Sequence, residues 1–185
     1  MRIYIVCFLV VWLAAACSPV KVQTDVNSAV DFSSMKTFDW LDTTVVPGGG
    51  ARVNNPELAV LVRAAMEKNL LEKGFVKDED SDFLVHWLGA IESKVKVESI
   101  QHFYSGYGYG TLSGSMAARS REVAPVTSYE EGTIVIDILD PKEHIILWRG
   151  TGARRLVKGM NEAEIIKYIN LSVDEILKNF PVGSK

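Results

Sequence analysis

Residues 132–140 read Gly-Thr-Ile-Val-Ile-Asp-Ile-Leu-Asp, and no other segment restricts the fold as much. Ile134, Ile136 and Ile138 fall on one side of an extended chain, so the segment is a strand with one face on a core. Asp140-Pro141-Lys142-Glu143 turns it back, and His144 to Leu156 supplies the partner, including Ile146, Trp148 and Arg149. An antiparallel pair with an apolar face needs a cover, and two helical segments provide one.

The first helix starts behind Asn54 or Asn55, with Pro56 suited to its first position. Leu58, Leu61, Val62, Ala65, Met66 and Leu70 recur at three- and four-residue spacing, and Gly74 stops it. The second opens at Asn161, with Glu164 completing a capping box and Met160 and Ile165 at staple positions. Ile165, Ile169, Val173, Ile176, Leu177 and Phe180 line one of its faces, and Pro181 ends it. Ahead of the first helix, Phe38 and Trp40 mark a strand over 35–41. Beyond it, Phe83 to Ile91 is nearly all apolar and then alternates to Ser99, which is long for one strand and predicts a bend near Gly89. Val20, Val22 and Val26 alternate in a segment that is part tether and part edge strand.

Gln101 to Glu131 fits none of these patterns. It carries Tyr104, Gly106, Tyr107, Gly108, Tyr109 and Gly110, and a connection of about thirty residues is long for a compact domain. The expected architecture is therefore α+β: a mostly antiparallel sheet of about four strands with two helices on one face, in the order β-α-β-(long loop)-β-β-α.

The N-terminus is an address. Met1-Arg2 precedes an uncharged run from Ile3 to Ala16, shorter than the roughly 20 apolar residues a membrane-spanning helix needs. Leu13-Ala14-Ala15-Ala16-Cys17-Ser18 resembles the lipobox of bacterial lipoproteins, with Ala14 where leucine is usual. Residues 1–16 are then a cleaved signal, Cys17 carries the lipid and 17–31 are lipidated cysteine and tether. Residues 32–181 form one domain, with the Tyr/Gly-rich loop at 101–131. An ordinary secretory signal ending at Ala16 is the other reading. Two or more acyl chains anchor a protein stably where one holds only marginally. Ser18, not aspartate, follows the cysteine, so the expected place is the outer membrane with the domain in the periplasm. Cys7 leaves with the signal and Cys17 is taken by lipid, so stability must come from the core without a disulfide. A formal net charge of −3 gives no basic footprint for nucleic acid.

Several segments together resemble a known family. They are the lipobox, Asp31-Phe32-Ser33-Ser34-Met35-Lys36-Thr37-Phe38-Asp39-Trp40, Lys73-Gly74-Phe75, Asp82-Phe83-Leu84-Val85, Gly132 to Asp137, and Leu147-Trp148-Arg149-Gly150. The set is similar to the bacterial lipoprotein family catalogued as domain of unknown function 4136, over roughly residues 20 to 180. The resemblance implies an envelope lipoprotein with an α+β domain, and it brings no catalytic residues to carry over.

The candidate chemistry is sparse. Asp78, Asp80 and Asp82 have the spacing that opens a calcium loop, but Phe83 and Gly89 stand where its glycine and closing glutamate belong. A solvated acidic turn is the plainer reading. His86, His102 and His144 lack metal-ligand spacing, so no metal and no cofactor are expected, and His86 reads as a partly buried strand residue with a hydrogen-bond partner. No Gly-x-Ser-x-Gly elbow is present. Tyr104, Tyr107 and Tyr109 suit stacking on a ligand or partner, or else they cover a neighbouring strand. Trp148-Arg149-Gly150 with Arg154-Arg155 forms an anionic site, or else Trp148 is core, Arg149 pairs with an acid such as Asp137 across the hairpin, and Arg154-Arg155 is solvated. The expectation is a non-enzymatic interaction or envelope-maintenance module, bound to the membrane through Cys17 and partnered by another envelope protein. The alternative is a binder of a small molecule or cell-wall fragment, with the Tyr/Gly loop closing beside Trp87 or Trp148. Either way, loss of 103–114 should leave the fold intact.

Overall fold

A computed structural model describes residues 20–42, 56–90, 95–96, 104–109, 128–129, 132–154 and 159–181. Cys17, Asn54, Asn55 and His102 lie outside them. The strands are β1 (Lys21–Val26), β2 (Thr37–Trp40), β3 (Val76–Lys77), β4 (Phe83–Ala90), β5 (Val95–Lys96), β6 (Ser128–Tyr129), β7 (Thr133–Leu139) and β8 (Ile146–Ala153). The α-helices described are α1 (Pro56–Glu72) and α2 (Glu162–Leu177), and a short 3-10 helix spans Phe32–Ser34.

The architecture is mixed α+β. One sheet runs β1-β8-β7-β4-β2-β3, and β5 with β6 forms a separate two-stranded ribbon. The expected four antiparallel strands are corrected in two respects. The sheet has six strands, and β2 lies parallel to both β3 and β4. The reason is connectivity: β2 enters α1, which carries the chain back to the end where β2 began, so the following strands run the same way. Alternation reports which face a side chain takes and is silent on strand direction. The long segment after Phe83 also resolves differently, since β4 ends at Ala90 and β5 belongs to the ribbon.

The hairpin is as its pattern requires. β7 and β8 pair antiparallel, with Asp137 opposite Arg149 and Ile138 opposite Trp148. A register shift after Ile138 leaves Leu147 as the extra residue of a bulge. On one face, Phe83 and Val85 of β4, Ile134, Ile136 and Ile138 of β7 and Trp148 of β8 meet both helices in a single core. Leu58, Val62, Ala65, Met66 and Leu70 come from α1, and Tyr168, Ile169, Val173, Ile176 and Leu177 from α2. Trp40 is only half-buried, with the Arg63 guanidinium 4.4 Å above its ring.

Helix α2 begins with the expected capping box: Asn161 accepts from the Glu164 backbone, and Glu164 accepts from that of Asn161. It stops at Leu177, short of Phe180, which instead turns inward after a tight turn. There its ring lies 5.3 Å from Trp148 and 5.7 Å from both Phe75 and Phe83. Gly150 explains why a tryptophan can sit two residues ahead of it on the same strand face. A Cβ at Gly150 would fall 2.2 Å from the Trp148 ring and 2.4 Å from Ile176. The indole therefore folds over the glycine beneath α2.

Asp82 ties β2 to the start of β4. Its Oδ2 accepts from the backbone N–H groups of Lys36 (2.7 Å) and Thr37 (2.9 Å), and its own N–H donates to the Thr37 hydroxyl. Those backbone donors hold the Asp82 carboxyl below its ordinary range. Asp80 bonds back to Asp78 within an exposed turn, so the calcium-like spacing produces a local cap. Among the described residues no group of three acidic, histidine or cysteine side chains is placed to hold a metal ion.

Candidate functional site

The other face of the sheet carries a row of polar side chains across three adjacent strands. Each stands opposite its neighbour: His86 of β4 opposite Asp137 of β7, and Asp137 opposite Arg149 of β8. Asp25 of β1 extends the row beyond Arg149. The alternation that sends Val85, Ile136 and Trp148 to the helices sends these to the opposite side.

Asp137 is fully buried. A buried carboxylate is tolerated only when its charge and lone pairs are met, and here they are. Arg149 Nε donates to Oδ1 at 2.6 Å, and a terminal guanidinium nitrogen donates to Oδ2 at 2.8 Å. The Tyr104 hydroxyl also donates to Oδ2. Having spent its one hydrogen there, that hydroxyl can only accept from His86 Nδ1, 3.1 Å away, so His86 carries its proton on Nδ1. Burial, then the neighbouring Asp137 charge, pushes the Tyr104 phenol well above its ordinary value and keeps it a donor.

Tyr104 arrives from the Tyr/Gly-rich segment. A helical turn at 104–106 closes with the Tyr107 and Tyr109 N–H groups both donating to the Tyr104 carbonyl. Tyr104 and Tyr109 are buried against Leu88, Val135, Leu139 and Ile146, forming a second apolar cluster. The Tyr109 ring stacks on His144 at 5.0 Å, and burial raises its phenol to about 12. Gly108 has positive φ, and a Cβ there would stand 3.0 Å from His144 Nδ1, so the backbone passes the hairpin turn only as glycine. His144 itself adopts φ 52°. The segment is thus a strap across the second face.

Of the residues singled out by sequence, the structure brings together Tyr104, Tyr107, Tyr109 and Arg149. Trp148 lies on the opposite face, fully buried beneath α2, apart from the tyrosines. Trp87 packs against that same core, so neither tryptophan shares a cleft with the strap. Deleting 103–114 would uncover the Asp137–Arg149 pair and the second cluster, so dispensability for folding no longer follows. Nothing in the sequence pattern joins His86 and Asp137 to Tyr104. Their signal is an ionisable residue on the off-face of an apolar strand. A concave feature lies elsewhere. It is an open groove of about 250 Å³ between α1 and α2, lined by Leu61, Ala64, Lys68, Ile166 and Asn170.

The chain matches, over residues 22–182, the family model described as Domain of unknown function (DUF4136). A solved DUF4136 family protein from Bacteroides thetaiotaomicron is 18% identical with a TM-score of 0.50, covering 86% of this chain and 96% of that one. A PDZ domain protein from Parabacteroides distasonis is 20% identical with a TM-score of 0.49. It covers 88% of this chain, which spans only 36% of that protein's length. The PelC dodecamer from Paraburkholderia phytofirmans is 10% identical with a TM-score of 0.44, covering 90% of this chain and 99% of that one. At such identities the likeness is one of fold. No curated protein matches the chain.

Proposed function

The chain belongs to the DUF4136 family, and on that premise we propose that it is a lipid-anchored envelope protein whose α+β domain is a non-enzymatic interaction module. The anchor is Cys17, thioether-linked to diacylglycerol after removal of residues 1–16, with the domain on the periplasmic side of the outer membrane. The support for it is the lipobox-like run before Cys17.

The observation that carries the non-enzymatic reading is the closure of the one buried polar cluster described. Both Asp137 oxygens are taken by Arg149 and Tyr104, and the strap lies over them. A general acid or base must be open to a substrate proton, whereas Asp137 is fully buried with its oxygens met by Arg149 and Tyr104. Tyr104 and Tyr109 are likewise buried in the fold, which favours the module over a cleft closed by those two rings. Contact with another envelope protein then falls to the outer surfaces.

The test is mild cross-linking in native envelopes followed by capture of the acylated protein and of a Cys17→Ala variant. A defined protein captured with the acylated form, together with diacyl mass on the Cys17 peptide, supports the reading. Absence of acyl mass removes the anchor. A thermal shift on adding purified cell-wall fragments, with no captured protein, replaces the module by the binder.

A further inference from the structure

We infer that one end of the sheet faces the bilayer and the acidic opposite end faces away from it, a reading that rests on acylation of Cys17. Val20 is already part of the folded body: its Cγ1 would lie 3.2 Å from a Cβ on Gly152. Only three Cα–Cα steps separate it from Cys17, and at about 3.8 Å each they reach at most ~11 Å whatever conformation they take. The expected tether of 17–31 is therefore cut short, because β1 starts at Lys21.

The register identifies what lies at that end. Lys21 pairs with Ala153, the last residue of β8, which pairs with Thr133, the first of β7, and Thr133 pairs with Ala90, the last of β4. The Tyr168 hydroxyl, in the second turn of α2, donates to the Gly132 carbonyl at 2.6 Å. Phe180, beyond the other end of α2, meets Phe83 at the start of β4. Helix α2 therefore begins at the Lys21 end and runs away from it, which places exposed Glu162 there too. The opposite end lies roughly 25 Å off, the length of an eight-residue strand. It holds exposed Asp31, Asp78, Glu79, Asp80, Asp82 and Glu143 against exposed Lys36, Lys77 and Lys142. Tipping that end within a Debye length of an anionic leaflet, ~8 Å at physiological salt, would meet repulsion. The short reach and the charge distribution thus favour the same orientation, with a phospholipid headgroup layer against the Lys21 end.

The test uses the acylated full chain in vesicles of phosphatidylcholine and phosphatidylglycerol containing a headgroup-nitroxide lipid. A fluorophore is placed by Lys21→Cys or Glu162→Cys at the near end, and by Lys142→Cys or Glu79→Cys at the far end. Unchanged melting relative to the parent shows that each labelled chain is folded. Quenching severalfold stronger at the near positions is expected. Equal or reversed quenching, with diacyl mass present on the Cys17 peptide, overturns the orientation alone. Absence of that mass overturns the anchor and the orientation together.

Discussion

The two faces of the central sheet are built from the same three strands and are held by different physics. Toward α1 and α2, β4, β7 and β8 offer phenylalanine, valine, isoleucine and tryptophan, and the cover is two long helices. Toward the strap, each contributes an ionisable side chain to a shared row flanked by Leu88, Val135 and Ile146, and the cover is a short tyrosine-bearing turn. Burial on the first face is non-directional and rests on area and shape. On the second a smaller apolar cluster is joined by buried polar bonds that depend on one another, because an unpaired buried polar group costs more than a paired one returns.

That contrast is most exposed by Arg149→Ala. It should lower stability by about 3–5 kcal/mol, since Asp137 is left with a buried, uncompensated charge, and urea midpoints would show it. The sharper test is Asp137→Leu combined with Arg149→Met, which should recover most of the loss because the pair leaves together. A double variant as weak as the single would mean that the pair does more than neutralise itself.

Gly150→Ala attacks the helix face instead. The added methyl meets Trp148 and Ile176, so overpacking should cost about 1–3 kcal/mol and shift the Trp148 fluorescence. Partnered polar groups play no part, so no second substitution on the strap face should rescue it. Tyr104→Phe removes a single hydroxyl while keeping the ring. A loss of about 1 kcal/mol is expected, with faster hydrogen exchange at the Tyr107 and Tyr109 amides and little change at α2. Equal change on both faces would merge the two regions into one cooperative unit.

The smallest effect concerns pH. The Tyr109 phenol is raised in the folded state to about 12, chiefly by burial and then by Asp140. Its contribution is full below the unfolded value of about 10 and is lost as pH rises through the folded value. Stability should therefore decline between those limits, and Tyr109→Phe should lessen the decline in denaturant titrations, with Tyr104 and Tyr168 supplying the rest.

Much of this arrangement could be read from the chain, and the remainder has identifiable causes. Ile134, Ile136 and Ile138 announced a strand and its core face, and Asn161 with Glu164 announced the start of α2. Each signal is local, carried within a few residues. The pairing of Arg149 with Asp137 was legible because a hairpin sets its own register. The parallel placement of β2 and β3 was not, since direction depends on where α1 delivers the chain and β3 has only two residues. Tyr104 stands out in composition, but its position over Asp137 joins residues 33 apart in sequence through a segment without periodicity. Such docking depends on shape complementarity between surfaces that only the folded sheet creates.

The edge position of β1 has a mechanical consequence. The six residues of Lys21–Val26 run antiparallel along β8, with residue 20 at their leading end. Tension applied to the chain at that point and directed back along the strand would slide β1 against its neighbour. The rungs of the ladder would then bear the load together, in shear, instead of opening one after another as in peeling. A domain tugged at this attachment would resist as a block, and the row from Asp25 through Arg149 to Asp137 would carry the strain inward to the middle of the sheet.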